Sequence, residues 1–263
     1  MNMIPYLEST HYSLFGLQLQ TWGTFVAAGF ALATYLIWRR ATSFANDAAG
    51  RPKIDPKVIL DLAFWVFIGA FIGARLFHVL FYDLGYYLAH PLDAINPAKP
   101  GYAIFGGFLG AAVPFFWMMR KRALNWIEYA DVIMWGIPWG CGVGRLGCFL
   151  IHDHPGTLTH FFLGVKYPDG HTRHDLGLYL SIIGFLTGGL FLFLNRKNRK
   201  PGFWLGTYMI IEGLTRFSLD FLRVVDARYF GLTPTQYLCL PLLIGGILLS
   251  CSTRSFWVAG RRD

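Results

Sequence analysis

"GVGRLGCFLIHDHPG", residues 142–156, sets the terms for the fold. Small and apolar residues surround one permanent cation, Arg145, and then give way to His152, Asp153, His154, Pro155 and Gly156. A long apolar run that ends on polar and turn-forming residues reads as a helix leaving a bilayer. An arginine inside such a run is costly to bury, so it needs a partner. No carboxylate stands three or four residues to either side of Arg145. Its partner must come from another helix or from an anionic ligand.

Six further runs resemble this one. Together they lie near residues 14–38, 58–82, 102–119, 131–151, 176–195, 203–222 and 236–253. Charged residues make up only 14% of the 263-residue chain, against roughly 25% in soluble domains. The runs are too continuously apolar for the alternating strands of a barrel. The reading is an all-α integral membrane protein of about seven transmembrane helices. It forms one polytopic domain over 1–263, with outward connections near 83–101 and 152–175.

The net charge of +8 does not point to nucleic acid, because the basic residues follow the spans. Fifteen of the 23, including Arg39, Arg40, Lys121, Arg122, Lys200 and Arg262, fall on one side of a seven-span arrangement. By the positive-inside rule the N-terminus faces outward and the C-terminus faces the cytoplasm. No internal repeat supports a transporter built from inverted halves.

Arg75, Arg145, Arg216 and Asp220 are ionisable residues within spans. Asp220 follows Arg216 at i+4, so the two share a helix face and can pair. Arg223 lies about one turn further on. Glycines flank Arg145, and a second glycine-rich stretch, "FGGFLG", covers 105–110. Glycine permits close approach of a ligand or of another backbone. Forked guanidinium groups beside such clearance suit a phosphate, and in a bilayer the abundant phosphate is a lipid headgroup. Five of the eight histidines, His152, His154, His160, His171 and His174, fall in the 152–175 connection. Their spacing matches no metal motif, and no metal or other cofactor is expected. The four cysteines read as inert apolar thiols.

Several stretches together resemble the prolipoprotein diacylglyceryl transferase family. They are "GARLFHVLFY" (73–82), "FGGFLGA" (105–111), "GRLGCF" (144–149), "RFSLDFLR" (216–223) and "LTPTQYLCLP" (232–241). The resemblance implies a multi-pass enzyme of the bacterial inner membrane. Its partners would be phosphatidylglycerol, the lipobox cysteine of a prolipoprotein signal peptide, and the bilayer. It implies catalytic roles for Arg145 and Arg216. It also implies phosphatidylglycerol contacts from Gly106, Gly107, Arg145, Gly156, Asp220 and Arg223, to which our reading adds the intramembrane Arg75. Asp153 aligns with the family's acidic residue in its stretch. Three positions depart from the pattern: Phe105 stands for a histidine, Cys148 for an asparagine, and Trp22 for a tyrosine. With that histidine absent, His154 and His174 are the expected bases, with His152 as a further candidate. A rival expectation is a phospholipid-binding relative with another acceptor or no transferase activity.

Overall fold

The computed structural model describes residues 3–44, 53–96, 99, 101–195, 199–224 and 228–251, with the backbone alone at 104 and 105. Arg51, Arg196, Lys197, Arg254, Arg261 and Arg262, which entered the charge pattern, lie outside the described residues, as does the Phe105 side chain.

Seven long helices match the seven apolar runs. They are α1 (Thr21–Thr42), α2 (Pro56–Phe81), α5 (Ile104–Lys121), α6 (Trp126–Ile151), α7 (Leu176–Leu194), α8 (Phe203–Leu219) and α9 (Pro234–Cys251). Short helices α3 (Leu84–Ala89) and α4 (Pro91–Ile95) follow α2. Four of the long helices, α1, α2, α7 and α9, are long and apolar enough to cross a membrane.

Strands amend the all-α expectation. β1 (Ile4–Pro5), β4 (Pro155–Leu158), β5 (Val165–Lys166) and β6 (Thr172–Asp175) make a sheet in the order β1-β5-β6-β4. β1 runs parallel to β5, and the other pairs are antiparallel. The turn between β5 and β6 is "PDG" at 168–170, where Gly170 takes φ +80 and Asp169 accepts from the His171 amide at 3.0 Å. That is ordinary turn chemistry, and it was legible. A hairpin of β2 (His11–Leu14) and β3 (Leu17–Gln20) also replaces the start of the first apolar run. Phe15 and Gly16 both take positive φ there, which reverses the chain before a helix can begin.

The described residues fall into two compact units, 3–40 with 130–251, and 41–129. In the first, α1 packs closely on α6. A Cβ at Gly29 would stand 2.4 Å from the Gly140 carbonyl oxygen, and one at Gly140 would stand 2.6 Å from that of Gly29. α7 joins α6 through Gly184 and Gly142, where the Ser181 hydroxyl donates to the Gly142 carbonyl at 2.8 Å. Trp135, Phe191 and Trp204 form a buried aromatic core, with Trp135 edge-on to Trp204 at 5.1 Å. Asp131 accepts from the amides of Gly202 and Leu205 at 2.7 and 2.8 Å, so a carboxylate from α6 caps the start of α8.

The second unit is organised around α2 and α5. Gly69, Gly73, Gly106 and Gly110 form the seam, and a Cβ on any of them would fall within 2.4 Å of the facing backbone. Any larger residue there would push the helices apart. Gly106 therefore serves helix packing, which corrects its expected place at a headgroup. Gly107 has only ordinary contacts, at 3.7 Å.

Candidate functional site

The site forms in the first unit, where the C-terminal end of α6 meets β4, β6 and the end of α8. A small cavity there is lined by His154, Leu176, Leu180, Arg216, Leu219, Asp220 and Arg223. Two guanidinium groups and an imidazole thus face three leucines. Cations beside alkyl groups match a phosphate that carries acyl chains.

Each polar wall is held from behind. Arg216 is about a quarter exposed, and its Nε donates to Glu212 Oε1 at 2.7 Å. Its partner is therefore the residue one turn before it, not Asp220. Asp220 is buried, accepts from the Thr233 hydroxyl, and lies 3.7 Å from Arg223 Nη1. Gln236 locks this corner: it accepts from the Thr233 amide and donates to the Phe217 carbonyl, both at 2.9 Å. Asp220 thus orients Arg223 and ties the end of α8 to the start of α9. An acid so fully engaged has little left to offer a headgroup, which changes its expected role.

Gly156 is a close-approach glycine. It pairs with Arg223 through an isolated antiparallel bridge, and a Cβ on it would sit 3.0 Å from both His174 Cβ and the Leu222 carbonyl oxygen. A side chain at 156 would displace the segment carrying Arg223.

The three expected histidines separate. His152 is buried, bonds Asp175 Oδ2 through Nδ1 at 2.7 Å and stacks on Tyr6 at 4.1 Å. Asp175 also accepts from the Tyr167 hydroxyl at 3.1 Å and caps α7 through the Leu178 amide at 3.0 Å. His152 therefore helps to hold the chain reversal, and it is not among the cavity-lining residues. His174 bonds the Tyr179 hydroxyl at 2.7 Å and is not among the cavity-lining residues. Burial pushes its imidazole below the ordinary histidine range, favouring the neutral form. His154 alone of the three lines the cavity, and its Nδ1 contacts the Asp153 carboxylate.

Arg145 is half-buried on α6. Among the described residues its one hydrogen-bond acceptor is Cys148 Sγ, 3.8 Å from Nη1. Cys148, one of the three positions that depart from the resemblance, is therefore in contact with the arginine. Cys148, Asp153 and His154 each place a donor atom within 4.8 Å of the others, which connects the Arg145 region to the cavity wall.

Arg75 lies elsewhere, in the second unit. It is buried, and its five N–H groups face five backbone carbonyls: Ala94, Lys99, Gly101, Asp93 and Asn96, at 2.6–3.4 Å. The guanidinium holds the connection after α2 in place. This replaces the headgroup contact expected of it.

The roles of two residues escaped the sequence reading, Glu212 beside Arg216 and Cys148 beside Asp153 and His154. Glu212 was detectable, since it stands four residues before Arg216 in a span. Cys148 was not, because its neighbours Asp153 and His154 reach it only after the chain reverses.

The sequence profile of the prolipoprotein diacylglyceryl transferase family matches residues 10–252. The chain is 32% identical over 253 residues to the phosphatidylglycerol–prolipoprotein diacylglyceryl transferase of Nitrosomonas europaea, covering 93% of this chain and 89% of that one. It is 30% identical over 276 residues to the protein of the same name from Pseudomonas syringae pv. syringae, covering 99% and 97%. A third relative of that name, from Pseudomonas entomophila, is 31% identical over 273 residues, with 99% and 97% covered. The chain belongs to the prolipoprotein diacylglyceryl transferase family.

Proposed function

We propose that this membrane protein transfers a diacylglyceryl group from phosphatidylglycerol to the thiol of a prolipoprotein cysteine. The observation that carries the reading is the cavity that sets Arg216, Arg223 and His154 against Leu176, Leu180 and Leu219. In the reaction the thiol loses its proton and the sulfur attacks the glycerol carbon that bears the phosphate. The carbon–oxygen bond breaks, a carbon–sulfur bond forms, and glycerol phosphate leaves with the electron pair. Charge grows on the departing phosphate, and fixed guanidinium groups stabilise it without reorganising. Arg216 and Arg223 would meet that phosphate, oriented by Glu212 and Asp220. Arg145 would meet it or the headgroup from the α6 side. His154 would take the thiol proton, with Asp153 fixing its ring, as in a carboxylate–imidazole pair. His174, neutral but outside the cavity lining, is the secondary base.

In this reading the chain is one polytopic domain of the bacterial inner membrane, with seven spans, an outward N-terminus and a cytoplasmic C-terminus. The acceptor is the lipobox cysteine of a signal peptide. Thr159 then faces outward and Lys200 faces the cytoplasm. A cysteine at 159 should react with an impermeant thiol reagent in intact spheroplasts above the parent's background, and one at 200 should not. Reversed labelling would overturn the orientation.

The test of function is incubation of the purified protein with labelled phosphatidylglycerol and a lipobox peptide. Label on the peptide thiol, with stoichiometric release of glycerol phosphate, is the expected result. Bound phospholipid without transfer would instead favour a phospholipid-binding role, for which the Cys148 thiol against Arg145, in place of the family's asparagine, is the specific observation.

A further inference from the structure

We propose that Cys148, Asp153 and His154 form a binding site for a thiophilic divalent cation of the zinc type. The three donor atoms lie within 4.8 Å of one another. Zinc binds sulfur at about 2.3 Å and nitrogen or carboxylate oxygen at about 2.0–2.2 Å, so tetrahedral ligands stand roughly 3.3–3.6 Å apart. About 1 Å of closure, within reach of side-chain rotation, would complete three corners of such a site. The fourth corner would remain open.

The backbone builds this cluster. α6 ends at Ile151, and His152 then adopts φ +50, which turns the chain back on itself. The buried bond from His152 to Asp175 and the stack on Tyr6 hold that reversal. Asp153 and His154 consequently return to the thiol on the last turns of the helix they have just left. Cys148 is 5% exposed, so its sulfur is presented from a dry wall, while the half-buried His154 and exposed Asp153 leave an entry path.

The charges also fit. A thiolate and a carboxylate together match the charge of a divalent ion, and the Arg145 guanidinium stands 3.8 Å from the sulfur. The same guanidinium repels the ion, but the two anionic ligands outnumber it. A bound ion would take a ring nitrogen of His154 and so compete with its use as a base. That consequence rests on the proposed function, whereas the binding itself does not.

Cobalt(II) is the probe, because a thiolate ligand gives it a near-ultraviolet charge-transfer band. Full-length protein in detergent, stripped with a chelator, is titrated with Co2+. One equivalent should bind with that band, and Zn2+ should displace it. Cys148→Ser should abolish the band, Asp153→Asn and His154→Gln should each weaken binding at least tenfold, and Cys239→Ser should leave it intact. Absence of saturable binding by the parent protein, or a band that survives in Cys148→Ser, would overturn the site. Transfer is then measured with and without Zn2+. Binding with the band but unchanged transfer would uphold the site and remove His154 from the proton transfer.

Discussion

Arg75 and Arg145 send the same signal in sequence, an arginine inside an apolar run, and the structure uses them in opposite ways. Arg75 spends every N–H on backbone carbonyls between Asp93 and Gly101. Arg145 has one weak sulfur acceptor among the described residues. A buried guanidinium with all five donors engaged is a structural clamp. One with donors to spare is positioned for an anion that arrives later. The cost of burying an arginine therefore says that a partner exists, and only the count of satisfied donors says whether the protein or a ligand supplies it.

The largest effect should follow from Arg145→Ala. A hydrogen bond to a charged group is worth about 2–3 kcal/mol, so transfer should fall roughly 30- to 150-fold if that contact is realised in the transition state. Arg145→Lys should also be impaired, since lysine keeps the charge without the fork. Wild-type transfer by normally expressed Arg145→Ala protein would place Arg145 with Arg75, as a structural group.

Arg75→Met probes the other side of the comparison. It should cost about 2 kcal/mol of stability, because buried carbonyls lose their donor, while kcat per folded molecule changes little. Thermal unfolding and single-turnover transfer on the same preparation separate the two. A selective loss of kcat at unchanged stability would move Arg75 into the site.

Glu212→Gln should act through Arg216. The pair is about a quarter exposed, so solvent screens it and the loss should be about 1 kcal/mol, roughly fivefold in kcat. An additive double mutant with Arg216→Lys would break the claim that Glu212 works by orienting that guanidinium.

The smallest effect concerns pH. Burial holds the folded-state pKa of His174 below its ordinary value of about 6.5. As pH falls below about 6.5 the unfolded chain takes up a proton that the folded protein resists, so stability falls. It levels off below the folded-state pKa. His174→Gln should flatten unfolding temperature against pH in that window, and an unaltered slope would assign the dependence to another group.

Much of the fold was legible in sequence because a bilayer demands long apolar helices, and periodicity and length report them directly. The bounds of α7 and the beginning of α8 fall where the apolar runs place them. The hairpin at 11–20 was missed because its apolar residues merged with those of α1, though Phe15-Gly16 marked the turn. The glycine runs around Arg145 and at 105–110 were visible, but not their purpose. Clearance for a ligand and clearance for a neighbouring helix look alike until the neighbour is in place, and Gly106 and Gly140 both proved to face backbone.

By itself the sequence determined a helical membrane chain of this family and the few cations that its apolar spans would have to accommodate. Composition and spacing carry that information, since each rests on local periodicity or on the cost of burying charge. Only the tertiary structure decided which of those groups are already satisfied. It gave Arg75 its carbonyls, Arg216 to Glu212 instead of Asp220, and His152 to Asp175. It also brought Cys148 to Asp153 and His154 through one left-handed residue. Hydrogen-bond satisfaction depends on where the chain returns to itself in space, and spacing along a helix records only the neighbours one turn away.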